Sequence, residues 1–478
     1  MRKTFISNLA LLMGANLLIK PFWILGIDRG VQNQLGYETY GMYSNLFAFS
    51  LLFITLLDLG INNFTSSKIA KNKENLQTYF GTLFLFKLAT SAIYFGITFV
   101  LGKLYGFDSL RIKLLFLLGF NQILSYFYLF FRSVAGGLQL FKADALLSVT
   151  DRILMIAICG IMLWSGLLDL SIKRFIYAQT FSYLFACGIS IWIIKPYLNN
   201  IKLVAKKNTI LSILRQIWPY ALLSLLMTVY TRIDNILIQK LLENGDYHNG
   251  VYASAYRLLE AAHMMVALIS MLLLPIFSKM IETRQPLAPM VQLSTSIMVI
   301  PALGLCLGCY WYKDGIMHAL YPHSTTYAVN TFGMVMFCFV AYAFMYVYGT
   351  LLTANGSLKT LNTLATIALL INFFANFWLI PKYQAFGAAM AAVLTQCFIG
   401  STNTIFGIIR LKLHFQHNYI KKLLLAAIFL MVSSYGISLI VTHWFLGLII
   451  NLSIGAAAML IFKLVEPTDA IKLFKERL

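Results

Sequence analysis

Residues Tyr230-Thr-Arg-Ile-Asp-Asn-Ile-Leu-Ile-Gln239 place two opposite charges, Arg232 and Asp234, inside a stretch that otherwise reads as a membrane span. Arg257 and Glu260 follow inside the next one. A charge at the bilayer centre costs roughly 2.5–3.5 kcal/mol even on lenient insertion scales, so such residues usually line a cavity or pathway. Arg232 and Asp234 are two positions apart, about 200° round a helix, and cannot neutralise each other on one face. Arg257 and Glu260 are three apart and can pair.

The composition around these charges is that of a membrane protein. Of 478 residues, 60% are hydrophobic and 11% charged, and mean hydropathy is +0.77. Soluble domains carry about 25% charged residues. Met1-Arg2-Lys3 precedes an apolar stretch with no small-residue cleavage site, which predicts an uncleaved first helix. The six cysteines all fall in apolar spans and read as buried thiols. Cys306 and Cys309 lack a second ligand pair, so no metal site is expected.

A window of about 20 apolar residues gives fourteen candidate spans: 5–27, 40–64, 77–101, 112–133, 145–167, 174–194, 211–238, 250–278, 290–311, 329–352, 361–380, 386–409, 421–441 and 444–463. With the N-terminus placed in the cytoplasm, twenty-three Lys and Arg fall on the cytoplasmic side and nine on the other. That asymmetry supports both termini being cytoplasmic. It also accounts for most of the +20 net charge without nucleic-acid binding.

Two pieces of the first half recur in order in the second. Gly41-Met-Tyr-Ser44 opens span two and Gly250-Val-Tyr-Ala253 opens span eight. Ala135-Gly-Gly137 and Ala354-Asn-Gly356 follow spans four and ten. The fold expected is therefore an all-α polytopic membrane protein with two six-helix lobes, residues 1–200 and 201–415. A pseudo-two-fold along the membrane normal relates them, and 416–478 adds two helices and an interfacial tail. Two such lobes form an alternating-access transporter plan, with the substrate site near the repeat interface.

Family resemblance is carried by Leu35-Gly-Tyr-Glu-Thr-Tyr-Gly-Met-Tyr43, Leu57-Asp-Leu-Gly-Ile61 and Ile69-Ala-Lys71. In the second half it is carried by Arg232-Ile-Asp-Asn-Ile236, Gly250-Val-Tyr-Ala-Ser-Ala-Tyr-Arg257, Ile380-Pro-Lys-Tyr383 and Gly387-Ala-Ala389. In these stretches the chain resembles the Wzx-type (O-antigen) polysaccharide flippases of the multidrug/oligosaccharidyl-lipid/polysaccharide exporter superfamily. The resemblance implies translocation of an undecaprenyl-pyrophosphate-linked oligosaccharide to the outer leaflet of a bacterial inner membrane. It also implies a cation-lined central cavity.

Five basic residues lie inside spans: Lys20, Lys87, Arg152, Arg232 and Arg257. Guanidinium groups grip phosphate oxygens bidentately, so these five are the candidate substrate cations. Lys20 and Arg232 occupy equivalent spans, each roughly 10 Å below the outer surface, and are expected to face one cavity with Arg257. Asp234, Glu260 and Asp58 are candidates for proton or sodium coupling or for pairing. Pro21, beside Lys20, is a candidate hinge, since proline removes a helix donor. His263, well inside a span, reads as a packed histidine.

No G-x(4)-G-K-[S/T] loop exists in the sequence, so hydrolysis of ATP by this chain is not expected. No cofactor is expected and a non-enzymatic monomer is, with membrane lipids and the lipid-linked saccharide as partners. Association with polysaccharide assembly proteins stays open. A cation-coupled drug exporter of the same superfamily and a lipid II flippase are the alternatives.

Overall fold

The computed structural model describes residues 14, 16, 18–166, 169–198, 203–204, 207–415 and 417–465. The amphipathic tail expected from Glu466 onward lies outside them. The helical run Leu18–Leu51 contains a π-helical turn, Trp23–Asp28, and α1 (Arg29–Leu51). Then follow α2 (Thr55–Asp58), α3 (Ile61–Lys71), α4 (Asn75–Tyr105), α5 (Ser109–Gly137), α6 (Phe141–Trp164), α7 (Ile172–Ile194) and α8 (Lys207–Leu241). The second half holds α9 (Gly245–Glu282), α10 (Ala288–Trp311), α11 (Lys313–Leu320), α12 (Thr326–Val335), α13 (Cys338–Ala354), α14 (Leu358–Arg410), α15 (His417–Ile440) and α16 (Trp444–Ile461). Every regular element among the described residues is helical.

Among the described residues, eleven helices are long and apolar enough to cross a membrane, or up to twelve if the bent pair Leu18–Leu51 and Thr55–Lys71 is one span. The chain is a multi-pass membrane protein. Two of these helices fold back on themselves. In α1, Gly36 takes φ 77°, ψ 169°, a conformation open to glycine. Beyond it the Tyr40 hydroxyl reaches both oxygens of Asp28, at 2.8 and 2.9 Å. Twelve residues of straight helix would separate them by about 18 Å. In α14 the break is at Gln384, φ 56°, ψ −132°. There a Cβ on Gly387 would run into the Leu379 carbonyl oxygen. Both reversals fall in the gaps, 28–39 and 381–385, that the hydropathy reading leaves between spans.

The chain divides into two compact units, Met1–Ile236 and Leu237–Leu478. In the first, α5 is central, packing on α1, α3, α4, α6 and α7. Close approach to α3 needs a glycine, since a Cβ on Gly137 would sit 2.8 Å from that of Ile69. Ile61, Leu83, Phe130, Val134, Ile194 and Ile213 form its buried cluster. In the second, α13 is central, packing on α9, α10 and α14. The second arm of α14 meets it where a Cβ on Gly400 would stand 2.9 Å from the Ala341 carbonyl oxygen. The central helices end at the two Ala-x-Gly motifs, and Gly356 completes the second with φ 70°.

Helix α8 is bonded to the first unit near its end. Asn45 Nδ2 donates to the Asn235 carbonyl at 2.9 Å, and the Tyr105 hydroxyl to that of Ile236 at 2.8 Å. The two last helices are held by α10. Tyr312 donates to the Val441 carbonyl at 2.9 Å and Tyr419 to that of Gln292 at 3.0 Å.

The stretch Leu51–Gly60 interrupts the second span. Leu59 (φ 47°) and Gly60 (φ 81°) are left-handed, so the last carbonyls of α2 lose their helical partners. Inside a bilayer those groups must be satisfied by protein. Lys87 and Tyr94, a heptad apart on α4, donate on the two sides of the break: Lys87 Nζ to the Leu57 carbonyl of α2 at 2.7 Å, and the Tyr94 hydroxyl to the Ser50 carbonyl near the end of α1 at 2.8 Å. Asp58 accepts from the Asn62 N–H at 3.1 Å and so caps α3.

Candidate functional site

In the first unit, Lys20 comes from the first helical run, and Asp151 and Arg152 from α6. Lys20 is half-buried, within electrostatic reach of Arg152, Asp151 and Arg132. Arg152 Nε lies 3.4 Å from an Asp151 oxygen, and its guanidinium sits 5.5 Å over the Trp23 ring. Tyr183, Tyr43 and Asp28 lie within electrostatic reach of Arg152.

Behind these groups runs an aromatic and amide layer. Gln179 Nε2 donates to the Tyr43 hydroxyl at 2.9 Å. Phe175 stacks on Trp23 and meets Tyr43 edge-on. The Arg152 side chain is 29% exposed and that of Asp151 11%. The cation is therefore the outer partner and the carboxylate its support. A part-buried cation held this way, over an aromatic face, is suited to an anionic head group with sugars attached.

In the second unit α9 presents a polar file toward α13. Arg257 donates to Glu260 at 2.6 Å, and the side chains are nearly equally exposed, 16% and 19%. Tyr256 and Tyr342 share a hydrogen bond at 3.1 Å. His263 Nε2 lies 2.8 Å from the Tyr346 hydroxyl and its ring 4.6 Å from that of Tyr342. His263 is thus a polar member of the file and not only a packed ring.

Of the predicted cations, the structure brings together Lys20 and Arg152. Arg257 is paired with Glu260 within its own helix. Arg232 is half-buried and Asp234 buried on α8, and both are engaged by neighbours. Lys87 is placed otherwise than expected of a substrate cation. It is fully buried, lies over the rings of Tyr126, Phe127 and Phe130, and serves the interrupted span. Asp58, a candidate for coupling or for pairing, caps α3 and lies within electrostatic reach of Lys87. Arg132 pairs with Asp144 at 3.0 Å. Cys397 is exposed, unlike the other five cysteines.

Asp28 lies just past the first apolar window, where the sequence does not mark it as intramembrane. It is 3% exposed and held by Tyr40. The π-turn that carries it begins two residues after Pro21. There the Arg29 N–H bonds the Ile24 carbonyl, five residues back. Such π-turns occur frequently at functional sites, and an acid five to eight residues beyond an intramembrane proline is the signal that could have found it. Gln179 is legible in the sequence as a polar residue inside a span, but its partner is not, and isolated Tyr43 and Asn45 give no sign of theirs.

Several solved structures share this fold. A structure of the lipid II flippase MurJ, in an inward closed conformation, superposes with a TM-score of 0.72 at 15% identity, covering 96% of this chain and 99% of the other. An inward-facing multidrug resistance MATE family transporter of the MOP superfamily gives 0.62 at 13% identity, covering 85% and 98%. A MOP superfamily transporter from Pyrococcus furiosus, for which a reverse polarity of the binding pocket is described, gives 0.54 at 12%, covering 85% and 94%. No curated protein sequence matches the chain. The family model described as "Polysaccharide biosynthesis protein" matches residues 8–281. With more than half of its length matched, and with the fold seen in MOP superfamily transporters, the chain belongs to this polysaccharide biosynthesis protein family.

Proposed function

We propose that the protein flips an undecaprenyl-pyrophosphate-linked oligosaccharide from the inner to the outer leaflet of the bacterial inner membrane by alternating access. The observation that carries this is the Arg152 site: an outward-presented guanidinium over Trp23, backed by Asp151 and accompanied by Lys20. An unassisted pyrophosphate would have to shed its hydration in hydrocarbon, at tens of kcal/mol. A polar path with fixed cations and aromatic faces lowers that barrier while the lipid tail stays in the bilayer. Two negative charges moving outward would gain about 4.6 kcal/mol per 100 mV of inside-negative potential.

The test is flipping of a fluorescent lipid-linked oligosaccharide in proteoliposomes. Arg152→Ala and Arg152→Glu should cut the rate at least tenfold with the protein still folded, and Arg152→Lys should retain part of it. Unchanged flipping in Arg152→Glu would overturn the assignment.

Buried Asp28 favours a second reading, in which a proton or sodium gradient drives the cycle, as in a cation-coupled exporter. Flipping that stops when the cation gradient is collapsed at constant membrane potential, and in Asp28→Asn, would support it.

A further inference from the structure

The second unit holds a cavity of about 650 Å³ away from the α9 file, lined by Tyr310, Lys313, Tyr327, Asn330, Lys382 and Gln384 among others. Its size lies within the roughly 300–1,000 Å³ of small-molecule sites. Its residues come from the α10–α11 junction, the start of α12 and the reversal of α14, which meet at one end of the unit. Lys313 and Lys382 fall among the residues that the charge asymmetry assigns to the outer side. We propose that this cavity binds an anionic saccharide, one carrying carboxylate or phosphate groups, on the side to which the head group is delivered. The inference rests on the flippase reading only for what delivers the ligand.

The two lysines are held in different ways. Lys313 Nζ donates to Asn330 Oδ1 at 2.7 Å and lies 5.3 Å from the Tyr310 ring centre. Lys382 Nζ lies 4.2 Å from the ring centre of Trp378, a neighbour outside the lining that is 63% exposed, while Tyr310, Tyr327, Phe337, Tyr383 and Phe386 supply the cavity's own rings. Aromatic rings beside fixed ammonium groups suit a sugar's C–H face and its acid together. An ordinary interfacial belt also carries aromatics and snorkelling lysines, but it has no need of a shared concavity.

The wall of the cavity is also costly to build. Gln384 adopts φ 56°, ψ −132°, the first central position of a type II′ turn, where glycine is the usual residue. A non-glycine residue there is strained and persists only where its surroundings impose it. Tyr327 does so: its hydroxyl accepts from the Ala385 N–H at 2.6 Å and also meets His248 Nδ1 at 3.0 Å. A glycine would have removed the strain, but it would also have removed the side chain of a residue of the lining.

The experiment uses the purified full chain in nanodiscs, with a hyaluronan tetrasaccharide as the anionic probe and chitotetraose as the neutral one. Tryptophan fluorescence, to which Trp378 contributes, reports binding. Saturable binding of the anionic probe, weakened at least tenfold in Lys313→Gln/Lys382→Gln but not in Arg152→Ala, supports the proposal. Gln384→Gly, which relieves strain, should fold well and bind more weakly. No saturable binding, equal binding of the neutral probe, or loss only in Arg152→Ala would overturn it. A lipid-linked saccharide carrying the same acid separates the sources. Lysine-dependent binding of it and of the free fragment identifies a head-group site, whereas lysine-independent binding counts against the site. The flippase reading fails separately, if the liposome assay shows no transport while lysine-dependent binding persists.

Discussion

The Lys87 ammonium donates to the main-chain carbonyl of Leu57 at 2.7 Å across thirty residues of sequence. An intramembrane lysine is expected to serve a pathway. Here it repairs a broken helix, taking the carbonyl that the left-handed Leu59–Gly60 pair releases. Asp58, the next residue, caps the helix beyond the break, so one interruption consumes two of the charges that looked functional.

Removing that donor tests the assignment. Lys87→Met should lower stability by about 1–3 kcal/mol, the cost of leaving a buried acceptor unmade. Thermal unfolding in detergent measures it. Transport per folded molecule should stay near wild type, and a wild-type melting temperature would contradict the capping role.

The Arg257–Glu260 pair calls for a double-mutant cycle. Each single change, Arg257→Gln or Glu260→Gln, leaves a part-buried charge without its helix partner and should destabilise by about 1–3 kcal/mol, discounted from the larger cost of fully buried pairs. The double variant should be more stable than the sum of the singles predicts. Strict additivity would show that the two side chains act separately.

The reversals rest on backbone that side chains resist. Gly387→Ala would drive a Cβ into the Leu379 carbonyl and should sharply reduce accumulation of folded protein in the membrane. Gly36→Ala strains φ 77° and should cost about 1–3 kcal/mol. Gly96→Ala, where a Cβ meets nothing within 4 Å, is the control and should accumulate normally.

Pro21 and the π-turn after it are proposed to let the first span bend during transport. Pro21→Ala restores a helix donor, so the expected outcome is a higher melting temperature with slower flipping. Faster or unchanged flipping would remove the hinge from the mechanism.

Hydropathy and the Gly and Ala-x-Gly motifs were legible in the sequence because they are sums over local residues. Apolar runs must be helical to cross hydrocarbon, so the all-helical class and the span gaps at 28–39 and 381–385 needed no partners to be known. The charged residues could be listed in the same way, and the i,i+3 pairing of Arg257 with Glu260 is a property of one helix. Only the tertiary structure decided which charges remain for chemistry. Lys87 finds its acceptor thirty residues away, and Asp28 is brought under Tyr40 by a reversal at one glycine. Lys20 comes within electrostatic reach of Arg152 from a distant helix. These are choices among partners, made by packing between helices, and in low-dielectric surroundings the partner determines whether a charge caps, pairs or is presented to a ligand.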